Sequence, residues 1–290
     1  MKYILLLIAS MMQFDVEQAV SNLGKVIVEQ NYYQTIEKNN YLMHAGSGID
    51  DHAYTNSIEA IQKSYDEGYR LFEVDVRITS DGFPVLVHDF LINDYKKRIQ
   101  DDWYLTVTPN EEGLYVPNLE TFMKFKIQKN YTATSFKMLV DFMKEHRDMY
   151  VLVDAGYADY EETYELYKVI LWVCDDENVL NRLITGGHTK GSVEAQQSLY
   201  NFPLINMYIA EDAIREKEFG TMEDWLSYCR EINANSYSIA YATHTKELAE
   251  YLNDKGLYSY IFTIDDEELA KTHLEYGADV IGTNFLRNKK

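Results

Sequence analysis

Residues 71–89 read LFEVDVRITSDGFPVLVHD, and this stretch decides how many strands the predicted sheet has. Its two apolar segments, Leu71–Ile78 and Pro84–His88, have the length and the β-branched content of strands. Between them lies Thr79-Ser80-Asp81-Gly82, where Asp-Gly is a strong signal for a tight turn and no helix fits. The second segment is therefore predicted to fold back on the first as a β-hairpin.

Outward from this hairpin, short apolar strands alternate with helices through most of the chain, which is typical of a parallel α/β fold. Without the hairpin strand, eight strands with helical crossovers remain, and they predict a TIM-type (β/α)8 barrel. A doubly wound open sheet stays an alternative, because periodicity alone does not show closure. The other predicted strands are Tyr41–His44, Tyr150–Asp154, Arg182–Thr185, Leu204–Ile209, Asn235–Ile239, Tyr258–Ile264 and Val280–Thr283. The predicted helices include Ser57–Glu67, Ser135–His146, Tyr160–Val173, Met222–Ile232, Lys246–Lys255 and Asp266–Tyr276.

Two regions fall outside this alternation. Residues 91–134 are too long for an ordinary loop, so we predict an insertion over one face, either functional or a packing lobe. Residues 1–40 form an N-terminal segment before the barrel domain of residues 41–290. Their apolar run, from Tyr3 to Met12, is too short to span a bilayer and matches either a signal peptide or a packing helix. A secreted or cell-envelope location and a cytoplasmic one therefore both stay open.

The composition limits the function classes. The chain has 290 residues, is 46% hydrophobic and carries a net charge of -20, so it has ample material for a large core. Such a surface repels phosphate backbones, and the absence of a basic patch with interleaved aromatics argues against nucleic acid as a partner. An acidic chain still binds phosphate where a metal ion inverts the local field. Cys174 and Cys229 stand in no CxxC pattern, which argues against a cysteine-ligated zinc site and a disulfide scaffold.

Polar side chains stand where the predicted strands end, and barrel active sites lie at the carboxyl ends of the strands. His44 ends the first strand, and Asp154 ends the strand after the insertion. Glu73 and Asp75 are two residues apart, so both carboxylates lie on one face of their strand. His88 ends the hairpin strand.

This combination suits metal-assisted phosphoryl chemistry. Carboxylates are hard oxygen ligands suited to Mg²⁺ or Ca²⁺, and such a cation neutralises phosphate charge. Two imidazoles are then able to divide the proton transfers, one taking a proton from the attacking oxygen and one giving a proton to the leaving oxygen. Each residue alone also has a structural explanation. A lone histidine at a strand end is usually a hydrogen-bonded polar group, and an acidic residue on the strand is able to pair with Arg77, which continues the face of Glu73. The joint pattern is more specific than any single member.

Two residues are candidates for substrate binding. Arg77 lies on the face of the acidic pair, and His188 lies in the glycine-rich loop after a predicted strand. The loop lacks the Gly-Lys-Ser/Thr order of a nucleotide-binding loop, and an ordinary loop between strand and helix is the alternative.

The same residues belong to an ordered series of motifs. The series consists of Met43-His44-Ala45-Gly46, Thr55-Asn56-Ser57-Ile58-Glu59-Ala60, Phe72-Glu73-Val74-Asp75-Val76, Thr79-Ser80-Asp81-Gly82 and Val87-His88-Asp89. In this order it resembles the HRG, ENTxxA, ExDV, TxDG and HD motifs of the glycerophosphodiester phosphodiesterase family. Phe262-Thr263-Ile264-Asp265 resembles the WTxN strand of that family, and Ile281-Gly282-Thr283-Asn284 resembles its closing ITD strand. The resemblance spans most of residues 41–286.

The resemblance implies a TIM-type barrel, a divalent metal ion and hydrolysis of phosphodiesters of glycerol or a related alcohol. By position, it makes His44 and His88 the acid/base pair and Glu73, Asp75 and Asp154 the metal ligands. It also implies attack on phosphorus by a neighbouring substrate hydroxyl, with a cyclic phosphate as intermediate.

The chain departs from the family pattern at its phosphate contacts. Ala45 stands where the family has a phosphate-binding Arg, Gly156 where a Lys is common, and Thr55 in place of a Glu. Arg77, Lys190 or a residue of the insertion is a candidate to compensate. The HAG and TNS-x-EA variants resemble a bacterial branch of a superfamily that includes bacterial phosphatidylinositol phospholipases C, so the substrate stays open.

The expected function is a metal-dependent phosphodiester hydrolase that acts on a glycerol- or lipid-type phosphodiester by histidine acid/base catalysis. The alternatives are a phospholipase C-like lyase that releases a cyclic phosphate, and an inactive barrel that binds a phosphorylated glycan or lipid. The expected partner is a small-molecule or lipid phosphodiester, and the aromatic residues of the insertion leave peripheral membrane contact open.

Other polar residues receive structural predictions. Asn56, with Glu59 three positions later, is predicted to be a helix N-cap with a reciprocal partner that fixes the loop behind His44. The remaining histidines, which fit no constellation, are predicted to be surface or capping residues; they are His52, His146, His244 and His273.

Overall fold

A computed structural model describes residues 22–99, 107–156, 159–209 and 212–288 of the chain. Its strands are β1 (Tyr41–Met43), β2 (Leu71–Ile78), β3 (Pro84–Leu86), β4 (Lys126–Ile127), β5 (Tyr131–Thr132), β6 (Tyr150–Asp154), β7 (Leu183–Gly187), β8 (Leu204–Tyr208), β9 (Ser236–Ala240), β10 (Tyr258–Phe262) and β11 (Val280–Thr283). Parallel pairing runs β1-β11-β10-β9-β8-β7-β6-β2, and β1 also pairs with β2. That last pairing closes the barrel, so the TIM-type prediction is confirmed and the open sheet is excluded.

The predicted hairpin is also confirmed. β3 pairs antiparallel with β2, with Val76 opposite Leu86. At the turn, Gly82 has φ of 88°, and its N–H donates to the carbonyl of Thr79 at 2.9 Å. A positive φ costs glycine little, which is why Asp-Gly predicts such turns. His88 follows β3 and is thereby carried to the mouth of the barrel.

Helices surround the barrel, and most of those in the described ranges begin at residues whose side chains accept a hydrogen bond from the first helical turn, as N-caps do. These caps include Ser57, Ser135, Asp159, Thr189, Thr221, Thr245 and Asp266. The helices are α1 (residues 22–38), α2 (Ile58–Asp66), α3 (Ile92–Asp94), α4 (Leu119–Phe122), α5 (Phe136–Glu145), α6 (Tyr160–Val173), α7 (Glu177–Leu180), α8 (Lys190–Leu199), α9 (Asp212–Glu218), α10 (Met222–Glu231), α11 (Lys246–Asn253) and α12 (Glu267–Glu275).

Helix α1 packs against the amino ends of the strands. Its Tyr32 and Ile36 are buried with Leu71 of β2 and Val280 of β11. The hydroxyl of Tyr32 lies 2.6 Å from that of Tyr260. The predicted apolar run from Tyr3 to Met12 lies outside the described residues. None of the helices in the described part of the chain is both long and apolar enough to cross a bilayer.

The insertion forms a small lobe beside β3. Residues Tyr95–Ile99 extend α3 as a π-helical turn, and β4 and β5 form a second hairpin. Tyr95 and Phe122 are fully buried in a cluster that also contains Val85 of β3. The lobe therefore has its own apolar core, which is continuous with the hairpin that carries His88.

Two of the remaining histidines are not where the sequence predicts. His244 and His273 are only 3% and 4% exposed, and their Nδ1 atoms lie 2.8 Å apart, so the surface prediction is wrong for both. The turn after β9 folds onto α12, and the ring of Tyr276 packs against both imidazoles. His146 is the C-cap of α5, as a capping residue should be.

Candidate active site

Three acidic side chains meet at the mouth of the barrel. The β2–β6 register places Asp75 opposite Asp154, and Glu73 lies two residues earlier on the same face of β2. One carboxylate oxygen from each residue lies within 4.8 Å of the others. The structure thus brings together the three residues that the sequence predicts as metal ligands.

The electrostatics of this cluster differ from one carboxylate to the next. Burial, followed by the charges of Asp75 and Asp154, raises the pKa of Glu73 well above its usual range. Burial also acts to raise the pKa of Asp154, but the nearby imidazole of His188 and the charge of Arg77 lower it to about 2. Like charges held this close are unfavourable unless a proton or a cation compensates them.

The donor set fits a hard divalent cation. All three candidate ligands offer carboxylate oxygens, the ligand type that Mg²⁺ and Ca²⁺ prefer. Within the described ranges, Glu73 Oε1 is buried without a hydrogen-bond partner. An ionised oxygen left in that state is costly, and coordination to a cation removes the cost.

His44 lies beside this cluster on the first residue after β1. Its Nε2 is 3.9 Å from Glu73 Oε2 and 3.3 Å from the Thr263 hydroxyl. Its Nδ1 is 3.1 Å from Asn284 Oδ1. The side chain is 14% exposed, so one ring nitrogen is held inside the protein while the other faces the acidic cluster.

His88 is more open. Its side chain is 40% exposed, and its Nδ1 lies 3.0 Å from Asp89 Oδ2. The ring of Tyr54 packs edge-on against both catalytic candidates, with centroid separations of 4.8 Å to His44 and 6.1 Å to His88. The two imidazoles are therefore gathered around one tyrosine at the mouth.

The loop between β1 and α2 holds Asn56, and its role differs from the predicted one. Ser57 is the N-cap of α2, and Glu59 accepts hydrogen bonds from Thr132 instead. Asn56 Nδ2 donates to Asp75 Oδ2 at 2.7 Å, and the Asp75 N–H donates to Asn56 Oδ1 at 3.1 Å. The N-cap prediction is wrong because Asn56 has φ of 46° and turns its amide toward β2. Asn56 thus orients the Asp75 carboxylate.

We expect the Asn56→Leu variant to bind Ca²⁺ or Mg²⁺ about 10- to 100-fold more weakly, because groups that orient metal ligands contribute affinities of this size. Titration calorimetry on the folded protein measures this change. The neighbouring Ser57→Ala variant is the control, since loss of a cap lowers the free energy of unfolding by about 1 kcal/mol without touching Asp75. Equal metal affinities in the two variants would contradict this role for Asn56.

Arg77 lies near the cluster, over Gly156. Its Nη1 donates to the carbonyls of Val76 and Ala155, at 2.8 Å each. A side chain at residue 156 would collide with the guanidinium, because a Cβ built on Gly156 falls within contact of Arg77 Nη2. The positive charge of Arg77 therefore occupies the space above the position where the family pattern has a Lys.

At the position where the family pattern has a phosphate-binding Arg, this chain has an uncharged residue. Ala45 is fully buried, and its N–H donates to Glu73 Oε2 at 2.5 Å. Lys190 Nζ lies over the rings of Phe219 and Tyr228, at 5.6 and 5.7 Å from their centroids. That amine packs against the α9–α10 side of the barrel.

A cavity of about 240 Å³ extends from the cluster into the barrel. Its charged and titratable lining includes His44, Glu73, Asp154 and His188. His188 Nε2 lies 3.7 Å from Asp154 Oδ1, so the predicted substrate-binding histidine does face this space. The remaining lining combines aromatic and neutral polar side chains with aliphatic ones and glycines; its members are Tyr208, Phe262, Tyr260, Asn206, Ser238, Leu42, Leu152, Val153, Gly186 and Gly282.

The sequence of the chain matches the model of one protein family. The model of the glycerophosphoryl diester phosphodiesterase family matches residues 44–288. No curated protein sequence matches the chain significantly.

Solved structures share the fold. A Galdieria sulphuraria protein assigned as a glycerophosphodiester phosphodiesterase superposes with a TM-score of 0.67 at 18% identity, over 85% of this chain and 94% of that one. An Oleispira antarctica phosphodiesterase, solved with the product sn-glycerol-3-phosphate, gives 0.64 at 15% identity, over 84% and 92%. A Parabacteroides distasonis glycerophosphodiester phosphodiesterase gives 0.64 at 14% identity, over 86% and 93%. At these identities the likeness supports the barrel fold.

Proposed function

Because the chain belongs to the glycerophosphoryl diester phosphodiesterase family, we propose that this phosphoric diester hydrolase cleaves a glycerol- or lipid-type phosphodiester with a divalent metal ion and two histidines. The observation that carries this proposal is the position of the His44 imidazole, whose Nε2 lies 3.9 Å from the carboxylate of Glu73 in the acidic cluster. A proton acceptor beside a cation site is what attack on a phosphodiester requires.

Glu73, Asp75 and Asp154 would hold Mg²⁺ or Ca²⁺. Bound there, the ion would neutralise the negative charge of the phosphate. His44 receives the proton of the attacking substrate hydroxyl at Nε2, and His88 supplies a proton to the leaving oxygen, so the alcohol departs and a cyclic phosphate forms. Water then opens this ring, with the two histidines exchanging their proton-transfer roles, and a phosphomonoester is released. Both imidazoles have Nδ1 next to an oxygen acceptor, Asn284 for His44 and Asp89 for His88, and in this proposal Nε2 of each ring exchanges the proton with the substrate.

The alcohol part of the substrate enters the cavity below the acidic cluster. Its aromatic wall, with Tyr208 and Phe262, packs against carbon, and its Asn206 and Ser238 side chains are suited to a hydroxyl. The glycerol phosphate bound by the Oleispira enzyme supports such an alcohol. Arg77, whose guanidinium lies over Gly156, and His188, which lines the cavity, would offer positive charge or hydrogen bonds to the phosphate in place of the Arg and Lys of the family pattern.

A panel of glycerol, inositol and lipid phosphodiesters tests the proposal, with Ca²⁺, Mg²⁺ or EDTA and with phosphorus NMR of the products. We expect turnover of at least one glycerol-type diester with a metal ion, none with EDTA, and a phosphomonoester as the final product. A cyclic phosphate that persists would instead show the lyase. Binding without turnover on the whole panel would contradict the proposal and favour the inactive barrel.

A further inference from the structure

The ring nitrogen of His44 that points away from the acidic cluster is held by a chain of two residues. Asn284 follows β11 and is buried, with its Oδ1 at 3.1 Å from His44 Nδ1. The other end of the same amide, Nδ2, donates to Asp265 Oδ2 at 2.8 Å. Asp265 follows β10, so the chain links two neighbouring strand ends to the imidazole on a third.

The carboxylate of Asp265 is fixed by several donors. Its Oδ1 accepts hydrogen bonds from the Thr283 hydroxyl at 2.8 Å, from the Asn284 N–H at 2.7 Å and from the Phe285 N–H at 3.2 Å. Burial acts to raise the pKa of Asp265, but the hydrogen bonds from Asn284 and Thr283 hold it below its usual value. The group is therefore an anion at neutral pH, and an ionised carboxylate only accepts hydrogen bonds.

This chemistry sets the orientation of the Asn284 amide. The NH₂ group must face the acceptor-only carboxylate of Asp265, so the amide oxygen faces His44. An amide oxygen also only accepts, so the neutral His44 ring must carry its hydrogen on Nδ1. The Thr263 hydroxyl, 3.3 Å from Nε2, is able to donate to the lone pair that this tautomer leaves there.

We propose that Asp265 and Asn284 form a positioning pair that holds His44 in the Nδ1–H tautomer, so that Nε2 presents its lone pair to the proton of the attacking hydroxyl. The functional part of this inference rests on the proposed role of His44 as a catalytic residue. The structural part, the tautomer, does not depend on any activity.

The pair also has an unusual distribution of charge. The strands that resemble WTxN and ITD carry Asp at residue 265 and Asn at residue 284, so the amide and the carboxylate have exchanged positions relative to those motifs. One amide and one carboxylate are still present, and they still bond to each other. The acceptor that contacts His44 is consequently the neutral amide of Asn284, and the negative charge lies on Asp265, which contacts that amide and not the imidazole.

The tautomer is tested by long-range ¹H–¹⁵N correlation NMR on the labelled protein, with the His44 signals assigned by their loss in the His44→Gln variant. We expect Nδ1–H in the parent. In Asn284→Leu, which has a similar size but no acceptor, we expect a shift toward Nε2–H and a fall in kcat of about 100-fold, within the range for a misplaced tautomer. The change in KM should be small. The Nδ1–H tautomer of His146, whose Nδ1 lies 2.7 Å from the carbonyl of Phe142, is the internal control and should not change.

An exchange of the two residues provides the matched test. Asp265→Asn removes the anion that orients the amide, and Asn284→Asp places two carboxylates side by side, so each single variant should lose activity. The double variant, Asp265→Asn with Asn284→Asp, restores one carboxylate and one amide and keeps an acceptor at Nδ1. We therefore expect it to recover most of the kcat that either single variant loses.

The outcomes separate the two proposals. An unchanged His44 tautomer in a folded Asn284→Leu protein, or a double variant slower than both singles, would overturn the positioning pair even if His44 is essential. A parent protein with the Nδ1–H tautomer and a fully active His44→Ala variant would support the pair as structure and sink the catalytic role of His44.

Discussion

Replacement of His44 with alanine is expected to lower kcat by about 10³-fold, in the middle of the range for the loss of a general acid or base. The imidazole is held by Asn284 at Nδ1 and its Nε2 faces the acidic cluster, so alanine removes the ring nitrogen that receives the proton. Binding of the divalent ion should change little, because His44 is a neighbour and not a member of the carboxylate set. Steady-state kinetics at saturating Mg²⁺ or Ca²⁺, with calorimetry of metal binding, measure both quantities.

A histidine elsewhere in the fold is the matched control. His146 caps α5, four residues before β6 begins, and so lies near the amino end of the barrel. His146→Gln should keep kcat within about twofold of the parent, since surface and capping changes act on stability and not on the site. A His44→Ala variant that keeps a tenth or more of the parent kcat would contradict the catalytic assignment.

The leaving group distinguishes the two histidines. 4-Nitrophenolate leaves a phosphodiester without help from an acid. A variant that lacks the general acid should therefore lose much less activity on a 4-nitrophenyl phosphodiester than on an alkyl phosphodiester. We expect this relief in His88→Ala and not in His44→Ala. Relief in the His44 variant alone would reverse the two roles. The double variant His44→Ala with His88→Ala should be about as slow as the slower of the two single variants, because both residues serve one proton-transfer sequence.

The sequence predicts the barrel well where local signals agree. β2, β6, β11 and α6 have the predicted bounds, and most other elements differ only at their ends. The hairpin was predictable because Asp-Gly fixes a turn within a few residues. The acidic cluster was predictable because a spacing of two on one strand and strand ends at one barrel mouth are consequences of periodicity and topology.

What the sequence did not predict depends on contacts between distant residues. Asn56 and Asp75 are 19 residues apart, and His44 and Asn284 are 240 apart. Asn next to Ser and three residues before Glu has a sound local explanation as a cap, and only the fold shows that the amide faces β2 instead. The same holds for Gly156. Only the fold shows that the Arg77 guanidinium lies where a side chain at residue 156 would be. The exchange of Asp265 and Asn284 was visible in the motifs, and its meaning came from the hydrogen bonds that join them.

Neutralising one member of the acidic cluster is expected to have two opposite effects on thermal stability. In EDTA, Glu73→Gln should be more stable than the parent, because it removes a buried group whose charge is opposed by burial and by Asp75 and Asp154. The pKa of Glu73 is raised in the folded protein, so the folded parent binds more protons than the unfolded chain and loses stability as the pH rises above the unfolded pKa, about 4.5. The advantage of the glutamine variant should therefore grow as the pH rises above the pKa of glutamate in the unfolded chain.

In saturating metal ion the order should reverse. An ion that binds only the folded state at 100 times its Kd adds about 2.7 kcal/mol, which corresponds to an increase in Tm of roughly 5–10 °C for a domain of this size. Glu73→Gln should lose most of that increase, since a neutral amide is a poor replacement for a carboxylate ligand. Asp279→Asn is the control, because Asp279 is a carboxylate that binds Ser259 and lies outside the cluster. The Asp279→Asn variant should show the full metal-induced increase in Tm, whatever its own Tm without metal. Metal binding by the cluster would be contradicted if the parent showed no change in Tm with Mg²⁺ or Ca²⁺, or if Glu73→Gln showed the same increase as the parent.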